Sequence, residues 1–346
     1  MRYAEGVHLT RTDENVSEID TLAERFGGRV ELEELLDDLG RRGRRSPMRA
    51  RAVRRAYTFD AVDRRDPRWW PQGVTTSADA SDTETVAGRR LVLVAWYAKQ
   101  LPGDDDGQGS RVTFFDLDRR RYQHVLLVHP KVRDGKVIFE PLRVHAGGIV
   151  WHGPYLHVAA TARGFHTCRI DDLLRVGPDE TEAYGYRYLL PVRFSYKAET
   201  EEGHERLRYS FLSLDRSTDP PEILAGEYGR GETVSRRLAH FSLDPETLLL
   251  ATAEDGLARP TMLDEGVGQM QGAVVARGRY HLTVSRGPWT FGSVFTGRPG
   301  DFRAHRWATP MGPEDVAYWP GSDELWSVTE HPRRRWIFAM KRSWFD

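Results

Sequence analysis

The chain has 346 residues, and its hydrophobic fraction of 39% is enough to build one large β domain or two average domains. Its 50 Lys and Arg residues balance 51 Asp and Glu residues, so the net charge of −1 gives no global field that would attract nucleic acid. The single cysteine, Cys168, excludes an intrachain disulfide, and we expect a buried, inert thiol. No apolar run approaches the roughly 18 residues of a membrane span. The N-terminus lacks the apolar core of a secretory signal, so we expect a cytoplasmic protein.

Residues 1–50 differ from the rest of the chain because their apolar residues recur with helical spacing. The pattern predicts one helix that stops at Gly27 and Gly28, and a second over 30–39 with four leucines on one stripe. An Arg-rich stretch over 41–55 follows, which we interpret as a solvated linker, with a nucleic-acid contact as the alternative. We therefore assign 1–50 to a helical N-terminal extension with a basic linker, and 51–346 to a β domain.

From residue 56 onward, short alternating segments separated by Gly-bearing turns predict strands. The first of them cover 56–62, 69–76, 89–99, 112–117 and 122–129. The loop over 103–109 contains Asp104, Asp105 and Asp106, and clustered carboxylates are ligands that calcium prefers. Because the loop lacks the spacing of an EF-hand, we interpret it as an acidic hairpin tip.

One pattern recurs over 145–161, 271–285 and 314–330. In each copy a small or polar doublet opens an apolar strand, and a Gly-bearing turn leads to a second, alternating strand. This is typical of the inner hairpin of a β-propeller blade. Similar openings lie at roughly 72 and 190. We predict an all-β β-propeller with five blades, six being the alternative because the spacings are uneven. Since a ring closes by pairing its terminal strands, we expect the segment around 57–59 to supply the outer strand of the last blade.

Several phrases of the sequence resemble a group of bacterial β-propeller-like proteins that are usually described as secreted proteins of unknown function. The segments that carry the resemblance are 145–149 (HAGGI), 211–218 (FLSLDRST), 271–273 (QGA), 312–315 (GPED) and 326–332 (WSVTEHP). They cover about residues 140–342. The resemblance implies the fold but no particular activity. The extension over 1–50 and the lack of a secretion signal suggest an intracellular relative.

The first strand of each blade lines the central channel of a propeller, so the polar residues that open these strands are predicted to meet at one rim. They are Gln72, His145, Gln271, Glu314 and Asp315, with Arg193 or Tyr196 from the third unit. Neighbouring residues of a strand point to opposite faces, so we expect only Glu314 of the Glu-Asp pair to face the channel. His145 and Glu314 are the catalytic candidates, because imidazole and carboxyl groups reach useful pKa values in partly buried sites. We expect the other residues to bind substrate.

Three uses of this ring of residues remain open. The first is acid/base chemistry on a polar small molecule such as a sugar, a lactone or a natural-product intermediate. The second is a metal site, with a channel-bound calcium ion as the alternative to our expectation of no cofactor. The third is structural, with the side chains satisfying strand ends and trapped water. Glu330 and His331 end a strand, and we expect them at the opposite rim or on a loop.

We expect a small-molecule-binding propeller, with an enzyme acting at the channel mouth as the first hypothesis. The alternative is a non-catalytic interaction scaffold whose protein partner binds residues 1–50. No membrane partner is expected, and nucleic acid is a weaker candidate.

Overall fold

A computed structural model describes residues 3–102, 107–231 and 234–346. The acidic triplet Asp104, Asp105 and Asp106, predicted to form a hairpin tip, lies outside the described residues. Strands dominate the chain, and most of them belong to antiparallel sets of four, which we number in chain order. Set I comprises Trp69–Thr76, Leu91–Ala98, Ser110–Asp116 and Arg121–Arg133. Set II comprises Ile149–His152, Tyr155–Ala159, Gly164–Arg169 and Tyr188–Thr200.

The C-terminal half continues the same plan. Set III comprises Phe211–Asp215, Glu222–Gly226, Arg237–Ser242 and Met262–Glu265. Set IV comprises Met270–Ala276, Arg279–Val284, Phe291–Arg298 and Asp301–Met311. Set V comprises Pro313–Trp319, Glu324–Thr329, Trp336–Lys341 and the N-terminal strand Val53–Thr58.

The pairing of Val53–Thr58 with Trp336–Lys341 joins the two ends of the chain in one sheet. Tyr57 pairs with Ile337, and Thr58 pairs with Trp336. The prediction that this segment supplies the outer strand of the last blade is confirmed. It removes an exposed edge from the last set, apart from the short strand Arg44–Arg45 that pairs with it.

The first strands of the sets contact each other in a closed cycle. Set I contacts set II, set II contacts set III, and so on through set V, whose first strand contacts that of set I. Each set therefore radiates from a common axis. The fold is all-β and propeller-like, as predicted.

Glycines allow the first strands to lie this close together. A Cβ atom on Gly73 would lie 2.9 Å from the carbonyl carbon of Gly148 in the next set. A Cβ atom on Gly148 would lie 2.0 Å from the backbone nitrogen of Leu212, and one on Gly272 would lie 2.6 Å from the Cα of Asp315. The obstacle in each case is backbone of the adjacent strand, which cannot rotate away as a side chain can. The small residues that open these strands are therefore required by packing around the axis.

The third predicted unit, opening near residue 190, is wrong. Tyr188–Thr200 pairs antiparallel with Gly164–Arg169 and, through Leu189–Pro191, parallel with set I, so it is the outer strand of set II. The first strand of set III is Phe211–Asp215. Because Tyr188–Thr200 begins with a continuously buried run, its sequence has the character of an inner strand.

The N-terminal residues pack onto the domain. The helix Val16–Phe26 ends at Gly27, which has a φ of 86°, as predicted, while the second helix, Leu32–Asp37, is shorter than predicted. The leucine stripe is buried in the core shared by sets I and II, and consists of Leu32, Leu35 and Leu36 of this helix and Leu39 just after it. None of the helices in the described ranges is long and apolar enough to cross a membrane.

The Arg-rich stretch is partly structured. Arg41–Arg42 pairs with the outer strand of set I, and the Arg41 guanidinium lies 3.2 Å from an oxygen of the buried Asp63. The start of this stretch is thus bound to the domain and does not form the solvated linker that we predicted. The remaining elements are the strands Val7–Arg11, Lys136–Pro141 and Leu174–Arg175, the helices Ala61–Arg65 and Ser77–Ala80, and the 3₁₀ turns Ile170–Asp172, Thr181–Ala183 and Arg342–Phe345.

Cys168 is fully buried, and burial raises the pKa of its thiol, which stays protonated at neutral pH. The residue packs in the core of sets I and II, as expected of an inert thiol.

We predict that Gly148→Ala lowers the free energy of unfolding by about 3 kcal/mol or more, because the added methyl group overlaps backbone of the next set. Gly177→Ala is the control, since a Cβ atom there meets nothing within 4 Å. Urea unfolding of the two variants measures the difference. Equal stability of the two variants would contradict the close packing of first strands.

Candidate functional site

A cavity of about 590 Å³ lies at the end of the axis where the first strands begin. All five sets contribute to its lining, through their first strands or through adjoining loops, and the outer strands do not. The lining residues are Gln72, His145, Gly147, Thr161, Arg208, Ser210, Tyr228, Gln271, Glu314 and Glu330. Four residues that the sequence analysis placed at one rim, Gln72, His145, Gln271 and Glu314, therefore lie in one cavity. Ser210 provides the opening position of set III that was sought near residue 190.

The cavity wall has a second contribution, from residues that follow the second strand of a set. In an antiparallel hairpin the end of the second strand lies beside the start of the first, as Thr329 pairs with Pro313 in set V. Glu330, Tyr228 and Thr161 occupy this position. Glu330 was expected at the opposite rim or on a loop. It lies on the loop that follows Glu324–Thr329, but at the same rim as Glu314, because the chain reverses direction within the hairpin. The same rule, applied to the sequence, finds Glu330.

Glu314 is a buried carboxyl group on the wall of the cavity, with a relative exposure of 3%. The Gln271 side-chain amide donates a hydrogen bond to its Oε1 at 3.3 Å. Burial raises the pKa of Glu314 well above its usual value, and the nearby carboxylates of Glu330 and Asp315 raise it further. This environment favours the protonated acid over the charged form.

Glu330 is the second carboxyl group of the wall, and its surroundings stabilise the charged form better than those of Glu314 do. Burial raises its pKa, but a hydrogen bond from Gln72 Nε2 at 3.2 Å and the charges of Lys99 and Arg335 act in the opposite direction. Among the residues that the structure describes, no cation lowers the pKa of Glu314 in this way. Of the two coupled groups, Glu330 therefore loses its proton first.

His145 lies at the mouth of the cavity with its ring against Tyr97, the two ring centroids being 4.4 Å apart. Although part of the imidazole remains open to solvent, the surrounding protein lowers its pKa, and Lys99 lowers it further. His145 is therefore neutral at pH 7, with one nitrogen available to accept a proton. Burial raises the pKa of Tyr97, and the charges of Glu330 and Glu314 raise it further, which keeps its hydroxyl protonated.

Asp315 does not line the cavity, and its assignment as a substrate-binding residue is corrected. The carboxylate is fully buried, and its Oδ2 accepts a hydrogen bond from the backbone N–H of Val74 in set I at 3.1 Å. It links the first strands of two sets. The expected division of the Glu-Asp pair, with Glu314 facing the channel, is what the structure shows.

Arg193 and Tyr196 also lie outside the cavity wall, because Tyr188–Thr200 is an outer strand. The Arg193 guanidinium binds Asp172 at 2.8 Å and Glu14 at 2.7 Å, which fastens the N-terminal segment to set II. The hydroxyl of Tyr196 accepts a hydrogen bond from the backbone N–H of Leu250 at 3.2 Å. Both residues have structural partners, and neither faces the proposed substrate.

A short segment, 77–84, covers the opposite end of the axis. The helix Ser77–Ala80 contacts the first strands of sets II and V. Arg216, which follows the first strand of set III, donates to the backbone oxygen of Ala78. Glu84 accepts hydrogen bonds from Trp319 Nε1 at 2.7 Å and from the backbone N–H of Gly321 at 2.6 Å. The sets are thus tied together at this end by a lid of the chain's own residues, and the polar cavity lies at the other.

Within 3–102, 107–231 and 234–346, one group of three metal-ligating side chains has ligand atoms within 4.8 Å of each other: Asp215, Glu222 and His240. It lies in set III and not in the cavity wall. The His240 ring donates to or accepts from Glu222 at 3.0 Å and Tyr280 at 2.6 Å, so its nitrogens already have partners.

Comparisons with known proteins give structural likenesses of low similarity. No family model and no curated protein matches the chain. Among solved structures, the β-propeller domain of Myceliophteria thermophila Cps50 (Swd1) has 11% identity and a TM-score of 0.37, with 78% of this chain and 96% of that chain covered. The GH43_1 enzyme from Xanthomonas citri has 10% identity and a TM-score of 0.34, with 78% and 86% covered. RS223-β-xylosidase has 10% identity and a TM-score of 0.36, with 81% and 93% covered.

We predict that Glu314→Gln stabilises the protein at pH 8 relative to wild type. A carboxyl group whose pKa is raised in the folded state contributes stability below its unfolded pKa of about 4.3, and this contribution is lost as pH rises through the folded pKa. The amide does not ionise and keeps its stability at high pH. Chemical unfolding at pH 4 and pH 8 measures the effect, with the exposed Glu246→Gln as control. If the stability of Glu314→Gln relative to wild type is the same at pH 8 as at pH 4, the folded protein does not hold Glu314 protonated.

Proposed function

We propose that this protein is a five-bladed propeller that binds a polar small molecule in the axial cavity and acts on it by acid/base chemistry. The observation that carries the proposal is the pair of coupled carboxyl groups, Glu314 and Glu330, in the wall of one cavity. The volume of about 590 Å³ is in the range of small-molecule sites. The cyclic contacts of the first strands of sets I to V support the blade number.

The two carboxyl groups divide the roles of acid and base. Glu314 is the proton donor, because burial and its acidic neighbours keep the proton on it. Glu330 is the proton acceptor, because Gln72, Lys99 and Arg335 favour its charged form. Carboxyl groups whose pKa values are separated in this way can protonate a leaving oxygen and activate a nucleophile at the same pH. His145, neutral at the cavity mouth, is a second proton acceptor.

A hydroxyl-rich substrate, such as a sugar or a sugar lactone, fits the remaining wall best. Gln72 and Gln271 use an amide N–H to hold the carboxyl groups, which leaves their amide oxygens to accept hydrogen bonds from a ligand. Ser210, Thr161 and Tyr228 add hydroxyl groups that can donate or accept. Glycosidic and lactone bonds are also bonds that a carboxyl pair cleaves.

In the alternative of a scaffold that binds its partner through residues 1–50, the contact would have to involve residues other than the leucine stripe. The leucine stripe of the second helix is buried against this chain's own core and is not exposed to a partner. A partner at this surface and a cytoplasmic location both stay predictions.

The proposal predicts that Glu314→Gln and Glu330→Gln each lower kcat by about 100-fold or more, since each removes a proton-transfer group. The assay is a panel of 4-nitrophenyl glycosides and sugar lactones, screened first with the wild-type protein. Glu246→Gln, on an exposed loop of set III, is the control and keeps full activity. Circular dichroism confirms that each variant is folded. Turnover of a panel substrate that neither cavity variant reduces would overturn the proposal, as would a wild-type protein that neither binds nor turns over any member of the panel.

A further inference from the structure

We infer that Arg208 recognises a carboxylate on the substrate, so that the cavity takes acidic sugars of the uronate class in preference to neutral ones. The inference deepens the proposed function and rests on it. Arg208 is a specificity residue in this account, and the chemistry remains with the two glutamates.

Arg208 and the two carboxyl groups reach the same cavity from different sets. It precedes the first strand of set III and lines the cavity, whereas Glu314 opens the first strand of set V. In the cycle of first strands, set IV separates these two on one side and sets I and II separate them on the other. A ligand that fills the cavity therefore meets carboxyl groups from set V and a guanidinium from set III.

The segment that carries Arg208 is held in place by a buried ion pair. Glu227, with a relative exposure of 0%, accepts a hydrogen bond from the Arg208 backbone N–H at 3.0 Å. Arg237 binds the same carboxylate through Nη2 at 3.0 Å, and donates to the backbone oxygens of Glu205 and Arg206. The charge of Glu227 is thus matched by Arg237, and the backbone on both sides is fixed. The Arg208 guanidinium donates through Nη2 to the backbone oxygen of Ser235 at 2.5 Å, which positions the side chain.

The positive charge of Arg208 has no carboxylate partner in the part of the chain that the structure describes. No Asp or Glu of 3–102, 107–231 or 234–346 lies within ion-pair distance of it, and within these residues its buried Nε makes no hydrogen bond. Arg193, which is also partly buried, binds two carboxylates. Arginine offers a planar fork of donors that matches a carboxylate in two parallel hydrogen bonds. Nη2 of Arg208 is bonded to Ser235, which leaves Nη1 and the second N–H of Nη2 to donate to a ligand carboxylate.

The neighbouring groups complete a site for an acidic sugar. Ser210 and Tyr228 line the cavity beside Arg208 and carry hydroxyl groups that can donate to a carboxylate. At the other wall, the carboxyl groups disfavour a second negative charge and favour hydroxyl groups. The ligand that matches both walls has one carboxylate and several hydroxyl groups, which describes a hexuronic acid.

The test compares sugars that differ only in the carboxylate. Binding of glucuronate against glucose, and of galacturonate against galactose, is measured by ligand-observed NMR titration with the wild-type protein, R208Q and R208K. Arg230→Gln, exposed on the loop beyond Tyr228, is the control for the loss of one charge. We expect at least one uronate to bind about tenfold or more tightly than its neutral partner, which corresponds to one charge-assisted contact.

R208Q is expected to abolish this preference without changing the affinity for the neutral sugar, and R208K, which keeps the charge but not the fork, to retain part of it. R230Q should keep it in full. Equal affinities in the wild-type protein, a preference that persists in R208Q, or the failure of both uronates to bind would overturn the inference. These outcomes are distinguishable from failure of the proposed function, because turnover of a neutral substrate that requires Glu314 and Glu330 can persist without any uronate preference.

Discussion

The close approach of the first strands around the axis is the constraint on which the rest of the structure depends. Gly73, Gly148 and Gly272 stand where a Cβ atom would overlap backbone of the adjacent set. Without side chains there, the strands come near enough for their opening residues to share one cavity. The same compactness buries Glu314 and removes the water that would otherwise stabilise its charge. Packing at the axis and the electrostatics of the site therefore have one physical origin.

The two ends of the axis have different characters because different parts of each hairpin reach them. Residues that open or precede the first strands meet residues that follow the second strands at the polar end, and together they form the cavity. At the other end, the segment 77–84 joins several sets through Arg216 and Glu84. The segment 77–84 holds the sets together at its end of the axis. The residues at the polar end can therefore be arranged for a ligand, since they are not needed to hold the sets together.

Much of the architecture is visible in the sequence because the hairpin pattern repeats. Small openers, apolar first strands and the N-terminal strand around Tyr57 follow from periodicity and from the need to pair edges. The prediction of a first strand near 190 was wrong, because burial on both faces gives this outer strand the composition of an inner one. The prediction did not bring Glu330 to the same rim as Glu314, because it left out the reversal of chain direction in a hairpin. Arg208 lies in a loop without a periodic pattern, so the sequence does not single it out. Its charge stays unmatched because the nearby carboxylate of Glu227 is paired with Arg237, and only the fold brings these residues together.

The central claim is that the cavity holds two unequal carboxyl groups, of which Glu314 keeps its proton to a higher pH than Glu330. Carbon-13 NMR of protein labelled at the glutamate side-chain carboxyl carbon, titrated from pH 3 to pH 9, tests it most directly. The account predicts one carboxyl resonance that titrates well above the usual range and is absent from Glu314→Gln, and a second that titrates at lower pH and is absent from Glu330→Gln. If every glutamate resonance titrates near its usual pKa of about 4.3, the two carboxyl groups are not poised as acid and base, and the account is contradicted.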